Sequence, residues 1–161
     1  MRIKNSGILL LAAILLFSCD KKRVFDEYKS VGSAWHKDSI VTFDLPVLDS
    51  TKRYDLFVNL RDNNNYPFNN LFLIVAIEMP NGFTKVDTLE YQMANPDGTL
   101  LGNGFSDIKE SKLYLKENVK FRGKYKVHIK QAVRESGKIP GVQELDGITD
   151  VGFRIEQKDQ K

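Results

Sequence analysis

The sequence predicts an all-β protein, an antiparallel two-sheet β-sandwich of the immunoglobulin-like or jelly-roll-like type, after a cleaved signal peptide and a short tether. Three observations predict this fold class. Short segments that alternate apolar and polar residues recur after residue 39. Turn sequences such as Pro80-Asn81-Gly82 and Asn95-Pro96-Asp97-Gly98 separate several of these segments. Helical periodicity is almost absent from the same region.

Seven segments have the composition of strands. In the second of them, Tyr54, Leu56, Val58 and Leu60 share one face, which predicts a strand with one side in the core. The third segment, LFLIVAIEM, is apolar on both faces, and we expect it in the centre of a sheet. The predicted strands cover residues 40–45, 54–61, 71–79, 85–93, 112–119, 124–134 and 149–157.

The first 18 residues have the layout of a bacterial secretory signal peptide. Arg2 and Lys4 precede an apolar run over residues 8–18, which is too short to span a bilayer core as a helix. Leu16-Phe17-Ser18-Cys19 resembles the bacterial lipobox, and this resemblance implies cleavage before Cys19 and acylation of its thiol and its new N-terminus. Three acyl chains exceed the two lipid signals that stable anchoring needs. Cys19 is therefore the predicted lipidation site.

We expect three regions: the signal peptide over residues 1–18, a lipidated N-terminus and tether over residues 19–37, and one β-sandwich domain over residues 38–161. Lys21, Lys22 and Arg23 directly follow Cys19. They either gain from an anionic leaflet or form a solvated spacer. The formal net charge of +3 includes two cationic residues of the signal peptide, so the mature chain is nearly neutral and gives no indication of nucleic-acid binding.

The chemistry-bearing residues do not form the pattern of an active site. The two histidines, His36 and His128, are not at metal-ligand spacing with each other or with cysteine. Gly102-Asn103-Gly104 lacks the third glycine and the helix of a nucleotide-binding fingerprint. Asp62-Asn63-Asn64-Asn65 could bind calcium or form a turn through its own side chains. We therefore expect no enzymatic activity, no cofactor, no metal and no small-molecule substrate.

A cationic surface is the first candidate interaction site. A hairpin is expected to join residues 112–121 to residues 124–134, and the alternation places its lysines on one face. Like charges directly across a strand pair are destabilising, so this face either docks an acidic partner or lipid headgroups, or is a solvated face that deters edge pairing. The candidate partner-binding residues are Lys112, Lys116, Lys120, Lys124, Lys126 and Lys130.

Two aromatic residues in the Asn-rich segment are the second candidate. Tyr66 and Phe68 could contact a glycan or a peptide, or they could plug one end of the core. The first use predicts a periplasmic ligand-binding lipoprotein, which is the alternative function. Both uses are kept open at this point.

Four separated blocks of sequence resemble one family. They are YPFNNLFL at 66–73, DTLEYQMA at 87–94, GTLLGNG at 98–104 with DIK at 107–109, and GITDVGFRIE at 147–156. Together they resemble the gliding-motility lipoprotein GldH family of the Bacteroidota, over nearly all of the mature chain. The resemblance implies a non-enzymatic cell-envelope lipoprotein required for gliding motility and associated with the type IX secretion machinery. It supplies no catalytic residues.

The residues after Cys19 also predict a location. Asp20-Lys21-Lys22-Arg23 does not resemble the acidic export signal that surface lipoproteins of this phylum often carry. We therefore expect a membrane-anchored lipoprotein, in the outer membrane and facing the periplasm. Its expected partners are the membrane, through the lipid, and envelope proteins of the gliding and secretion machinery.

Overall fold

A computed structural model describes residues 20–159 of the 161-residue chain. The predicted signal peptide and Cys19 lie outside the described residues. Between Asp20 and Asp159, no helix is long and apolar enough to cross a membrane. The strands are β1 (Arg23–Ser30), β2 (Ala34–His36), β3 (Val41–Asp44), β4 (Tyr54–Asp62), β5 (Asn70–Glu78), β6 (Thr84–Gln92), β7 (Lys109–Val119), β8 (Lys126–Gln131), β9 (Glu144–Asp146) and β10 (Ile148–Gln157).

The strands pair antiparallel in one nested series: β1 with β10, β2 with β9, β3 with β8, β4 with β7, and β5 with β6. Two further pairings, β4 with β10 and β5 with β8, join them into larger sheets. Sheet I has the order β1-β10-β4-β7, and sheet II has the order β3-β8-β5-β6. Such a folded ribbon is the winding of a jelly roll. The predicted antiparallel two-sheet sandwich is confirmed, and of the two types it is the jelly roll.

The core lies between the two sheets. Leu56, Val58 and Leu60 of β4 and Val127 and Ile129 of β8 are fully buried, as the period of two predicts. Across the interface, the rings of Phe43 and Phe153 lie 6.2 Å apart between their centroids. Burial of large side chains from both inner faces is the main favourable term that holds the sheets together.

All seven predicted strands occur, with ends that differ by a few residues. The all-apolar segment is β5, which lies between β8 and β6 as its composition indicates. The two turn sequences are also present: Gly82 N–H donates to the carbonyl of Met79, and Gly98 N–H donates to that of Asn95, each at 2.9 Å. Local alternation and turn chemistry therefore identified most of the sheet-forming segments.

The predicted tether is wrong for the part that the structure describes. Its residues form β1, which is an edge strand of sheet I, and β2. Phe25 of β1 packs against the core, and Trp35 of β2 is fully buried. The sandwich therefore begins at Arg23, within the predicted tether.

The predicted hairpin between residues 112–121 and 124–134 is also wrong. Strand β7 pairs with β4 in sheet I, whereas β8 pairs with β3 and β5 in sheet II. The link between them crosses from one sheet to the other. Phe121 in this link is buried, with its ring centroid 5.8 Å from that of Tyr54 and 4.9 Å from that of Tyr125. Burial of Phe121 between the sheets stabilises the crossing.

Gly147 connects β9 to β10 and supports the neighbouring Asn-rich loop. Its φ is +84°, and a Cβ placed on it would lie 2.2 Å from the backbone nitrogen of Tyr66. Its carbonyl accepts a hydrogen bond from Asn63 N–H at 2.8 Å. This position therefore requires glycine for two reasons, its positive φ and the close approach of the loop backbone.

We expect Gly147→Ala to lower the free energy of unfolding by at least about 3 kcal/mol, since the loop must move and a positive φ must be held by alanine. The matched control is Gly137→Ala, with φ +78° and open space around its Cβ, which isolates the backbone term of about 1 kcal/mol. Urea unfolding of both variants measures the difference. Equal losses for the two variants would contradict the steric argument.

Candidate functional site

The two ends of the sandwich have different surfaces. We call the end at which the described chain begins the anchor end, and the opposite one the far end. Gln157 N–H donates to the carbonyl of Lys22 at 2.7 Å, and Lys158 N–H donates to that of Arg53 at 2.9 Å, so both termini meet there. The anchor end comprises residues 20–22, 45–53, 79–83, 120–125 and 158–159, and the far end comprises residues 31–33, 37–40, 63–69, 93–108 and 132–143.

Arg154 holds the start of the described chain on sheet I. Its guanidinium donates to the carboxylates of Asp20, of Asp26 at 2.9 Å and of Glu156 at 2.7 Å. Burial opposes ionisation of Arg154, but the hydrogen bonds to Glu156 and Asp20 outweigh it and raise the pKa of the arginine. It therefore stays charged, and Asp20, the residue after Cys19, is fixed on the domain.

The six lysines that were predicted to share one face lie on different sheets and at different ends of the domain, so this prediction is wrong. On the outer face of sheet I, Lys112 donates to Glu156 at 2.5 Å and lies 4.1 Å from the ring centroid of Phe57. The register between β4 and β7 shifts before Lys116, which therefore lies opposite the inward-facing Leu56. There the ammonium of Lys85 holds the pKa of Lys116 below its usual value.

The other four lysines of the set lie on or beside β8. Lys130 is near the far end of sheet II, beside Ile74 of β5. Lys120, Lys124 and Lys126 lie at the anchor end, in or next to the β7–β8 link. The register shift and the change of sheet could not be read from the alternation of the sequence, because both depend on pairing with distant strands.

The anchor end is cationic. Lys21, Lys120, Arg122 and Lys124 are exposed, and none of them forms an ion pair with another residue of the range 20–159. Two other cations at or next to this end are paired, Lys22 with Asp159 at 2.6 Å and Lys126 with Asp44 at 3.6 Å. The β7–β8 link carries three cations and no acidic residue.

Apolar side chains lie among these cations. Val47 and Phe83 are 63% and 61% exposed in two different loops at this end. A groove of about 780 Å³ lies beside them, lined mainly by apolar residues and bordered by Lys124 and Lys126 and by the carboxylates of Asp44 and Glu78. The apolar lining includes Phe25, Pro46, Val47, Met79 and Pro80.

The far end also exposes apolar side chains, but its charges are nearly balanced, since Lys37, Arg134 and Lys138 lie in the same loops as its acidic residues. Phe105 is fully exposed, and Ile139 and Ile40 are 88% and 58% exposed. The acidic residues at or next to the far-end loops are exposed as well: Asp38, Asp97, Asp107, Glu135, Glu144 and Asp146. The two ends thus share exposed apolar groups, but only the anchor end has a clear excess of cations.

Tyr66 and Phe68 plug the core. Tyr66 is 6% exposed, and its hydroxyl donates to the carbonyl of Asn70 at 2.6 Å. The ring of Phe68, which is half-buried, packs edge-on to that of Tyr66 at 6.0 Å between centroids. Tyr66 is therefore not available as a contact for a glycan or peptide, and the structure contradicts that use of the pair.

A buried carboxyl lies beneath this plug, and sequence reasoning missed it. Asp62 is fully buried, and neither of its carboxyl oxygens has a hydrogen-bond partner within residues 20–159. Burial raises its pKa to about 7. The available signal was the period of two in β4, which continues from Leu60 to Asp62 and places its side chain inward.

The remaining polar candidates have local structural contacts. Asn63 accepts a hydrogen bond from Asn65 N–H at 2.9 Å, which is a turn formed by an Asn side chain. His128 contacts Thr42 Oγ1 at 2.9 Å and Glu78 at 3.2 Å across the outer face of sheet II. Over residues 20–159, no three His, Cys, Asp or Glu side chains are grouped so that they could hold a metal ion.

Comparison with known proteins identifies close relatives. The sequence pattern of the family described as GldH lipoprotein matches residues 23–155. The chain is 92% identical over 159 residues to the gliding motility lipoprotein GldH of Flavobacterium johnsoniae. The aligned region covers 99% of this chain and 100% of that protein. It is 59% identical over 162 residues to the gliding motility lipoprotein GldH homolog of Christiangramia forsetii, with 99% of each chain covered.

A weak structural likeness is found to a family GH115 4-O-methyl-α-glucuronidase with specificity for decorated arabinogalactans. The TM-score is 0.46 with 14% sequence identity, and the match covers 88% of this chain and 18% of that enzyme. A likeness of this size carries no argument about function.

We expect the protein to lose stability as the pH rises, because of Asp62. An unfolded aspartic acid loses its proton near pH 4, whereas Asp62 in the folded state keeps it up to about pH 7. Between these values the folded state binds one proton more, so the free energy of unfolding falls, by about 4 kcal/mol at most.

Asp62→Asn removes this titration and keeps the shape of the side chain. We expect it to be near neutral at pH 4 and stabilising at pH 8, as measured by thermal unfolding across that range. The control is Asp97→Asn, an exposed turn residue whose pKa is lowered by its hydrogen bonds with Thr99. An unchanged pH profile in Asp62→Asn would contradict the assignment.

Proposed function

Because this chain belongs to the GldH lipoprotein family, we propose that it is a lipid-anchored protein of the cell envelope that gliding motility requires. It acts as a structural or assembly component associated with the gliding and type IX secretion machinery, and not as an enzyme. The observation that carries the proposal is the 92% identity, over the full length, to a gliding motility lipoprotein. Identity of this size leaves few positions at which the two proteins could differ in their contacts.

A member of this family is a membrane-anchored lipoprotein. Cys19 is the proposed attachment point, supported by the lipobox-like Leu16-Phe17-Ser18-Cys19. We further propose that the domain resides in the outer membrane and faces the periplasm. This orientation is supported by the cationic residues after Asp20, where surface-exported lipoproteins of the phylum often carry acidic ones.

A role through protein contacts agrees with the far end of the sandwich. Its loops expose Phe105, Ile108 and Ile139 to solvent. Aromatic and large aliphatic side chains that are solvated in the free protein gain most when a partner covers them. The far end also points away from the attachment site, where it is accessible to other envelope proteins.

We expect Cys19→Ser to abolish acylation and to move the protein from the membrane fraction to the soluble fraction after cell breakage. The reason is that the lipid chains supply the membrane affinity. Mass spectrometry of the mature N-terminus and immunoblotting of both fractions measure the two effects. Retention of the unacylated variant in the membrane fraction would contradict anchoring through this residue.

We expect the double variant Phe105→Asp, Ile139→Asp to reduce colony spreading and envelope-protein cross-linking in a strain that lacks the native gene. Loss of such contacts typically weakens binding by roughly 30-fold or more. Val86→Asp is the matched control, since Val86 is 57% exposed but lies near the start of edge strand β6, away from the far end. Normal spreading by the double variant, at native protein level, would disprove the contact role of the far end.

Added protease tests the proposed orientation. Intact cells treated with the protease are expected to keep the full-length protein, and lysed cells are expected to lose it. Rapid degradation in intact cells would show a surface-exposed domain and would contradict the periplasmic orientation.

A further inference from the structure

We propose that the anchor end is a membrane-docking face, which lies against the anionic lipid headgroups of the leaflet that holds the Cys19 lipid. The bilayer surface itself is the binding partner at this end. The inference rests on lipid attachment at Cys19 and is independent of the role in gliding.

The chain connectivity brings this end to the membrane. Three residues, 20–22, separate Cys19 from β1, so the Cα atoms of Cys19 and Arg23 are at most about 14 Å apart. Asp20 is itself held on sheet I by its ion pair with Arg154. Consecutive Cα atoms are about 3.8 Å apart, so the lipid-bearing residue directly follows a fixed point of the domain. The anchor end cannot move far from the bilayer surface.

Charge favours this contact. Lys21, Lys120, Arg122 and Lys124 are exposed and without ion-pair partners in the range 20–159, although acidic residues elsewhere on the surface could have paired with them. A basic residue near an anionic leaflet strengthens binding roughly fivefold. The far end, whose loops carry three cations beside their acidic residues, has no such excess of positive charge to draw it to the same surface. The polarity of the domain therefore orients it with the anchor end on the headgroups.

The exposed apolar side chains of the anchor end also fit a bilayer surface. Phe83 and Val47 project from two different loops at this end, and the groove between the sheets opens beside them. Large apolar side chains next to Lys and Arg are the combination that binds at the headgroup boundary of a bilayer.

The test places a tryptophan at each end of the lipidated mature protein. Phe83→Trp or Val47→Trp reports on the anchor end, and Phe105→Trp reports on the far end. Each variant is reconstituted into vesicles of phosphatidylcholine and phosphatidylglycerol whose acyl chains carry bromine, which quenches nearby indole fluorescence. The native Trp35 is fully buried in β2 and gives a constant background.

We expect strong quenching of the two anchor-end reporters and none of Phe105→Trp. Neutralising the link cations with Lys120→Gln, Arg122→Gln and Lys124→Gln is expected to weaken docking roughly fivefold for each residue. Lys138→Gln, a far-end lysine, is the matched control and is expected to have no effect. Thermal unfolding of every variant confirms that it is folded, and the use of two anchor-end reporters protects against a single disruptive substitution.

Three outcomes would overturn the proposal. The first is equal quenching at the two ends, and the second is no quenching of either anchor-end reporter in vesicles that hold the lipidated chain. The third is an anchor-end reporter that changes only when acidic envelope proteins are added, because the cations would then serve a protein partner. Loss of gliding does not enter this test, so a failure here and a failure of the proposed function are distinguishable.

Discussion

The antiparallel pairing of β1 with β10 fixes the arrangement of the rest of the described chain. Once the first and last strands lie side by side, each inner pair nests within them, and two lateral pairings close the two sheets. The connections β3–β4, β5–β6 and β7–β8 then fall at the end where both termini lie. The division of the surface into a cationic end and a more acidic end is thus a property of the winding, since segments far apart in sequence supply each end.

A polar network on the outer face of sheet I reinforces the same pairing. Arg154 links strands β1 and β10 through Asp26 and Glu156, and Asn59 of β4 donates to Asp26 at 3.2 Å. Nearby, the guanidinium of Arg61 lies 4.1 Å from the ring centroid of Tyr28. The side chains of Arg154, Asp26 and Glu156 are only 14–16% exposed. Solvent therefore screens their ion pairs less than it screens pairs on the surface, although desolvation of the charges offsets part of this stabilisation.

The strands with one buried face could be predicted from the sequence, and the pairing could not. Strands β4 and β10 alternate regularly because one face of each packs on the core. Strand β1 pairs on one side only and carries charge on both faces, with Asp26 outward and Lys29 over the ring of Phe43, so it has no clean period. Strands β2 and β9 have three residues each, too few for any period.

The candidate sites depend still more on tertiary structure. Most of the lysines are solvent-facing as expected, but Lys116 lies opposite the inward-facing Leu56, and which of them lie together is decided by the register shift in β7 and by the change of sheet at Phe121. Both arise from packing between strands distant in sequence. The lipobox-like sequence that ends at Cys19 and the family blocks, in contrast, are local in sequence and needed no knowledge of the fold.

The position of β1 has a mechanical consequence. A pull between Asp20 and the far-end loops would act along the axis of this strand, and the backbone hydrogen bonds to β10 run perpendicular to it. Such a force loads those bonds together in shear, so that no single bond must carry it alone as in peeling. With the proposed lipid on Cys19, this edge strand would transmit tension between the membrane and the body of the domain.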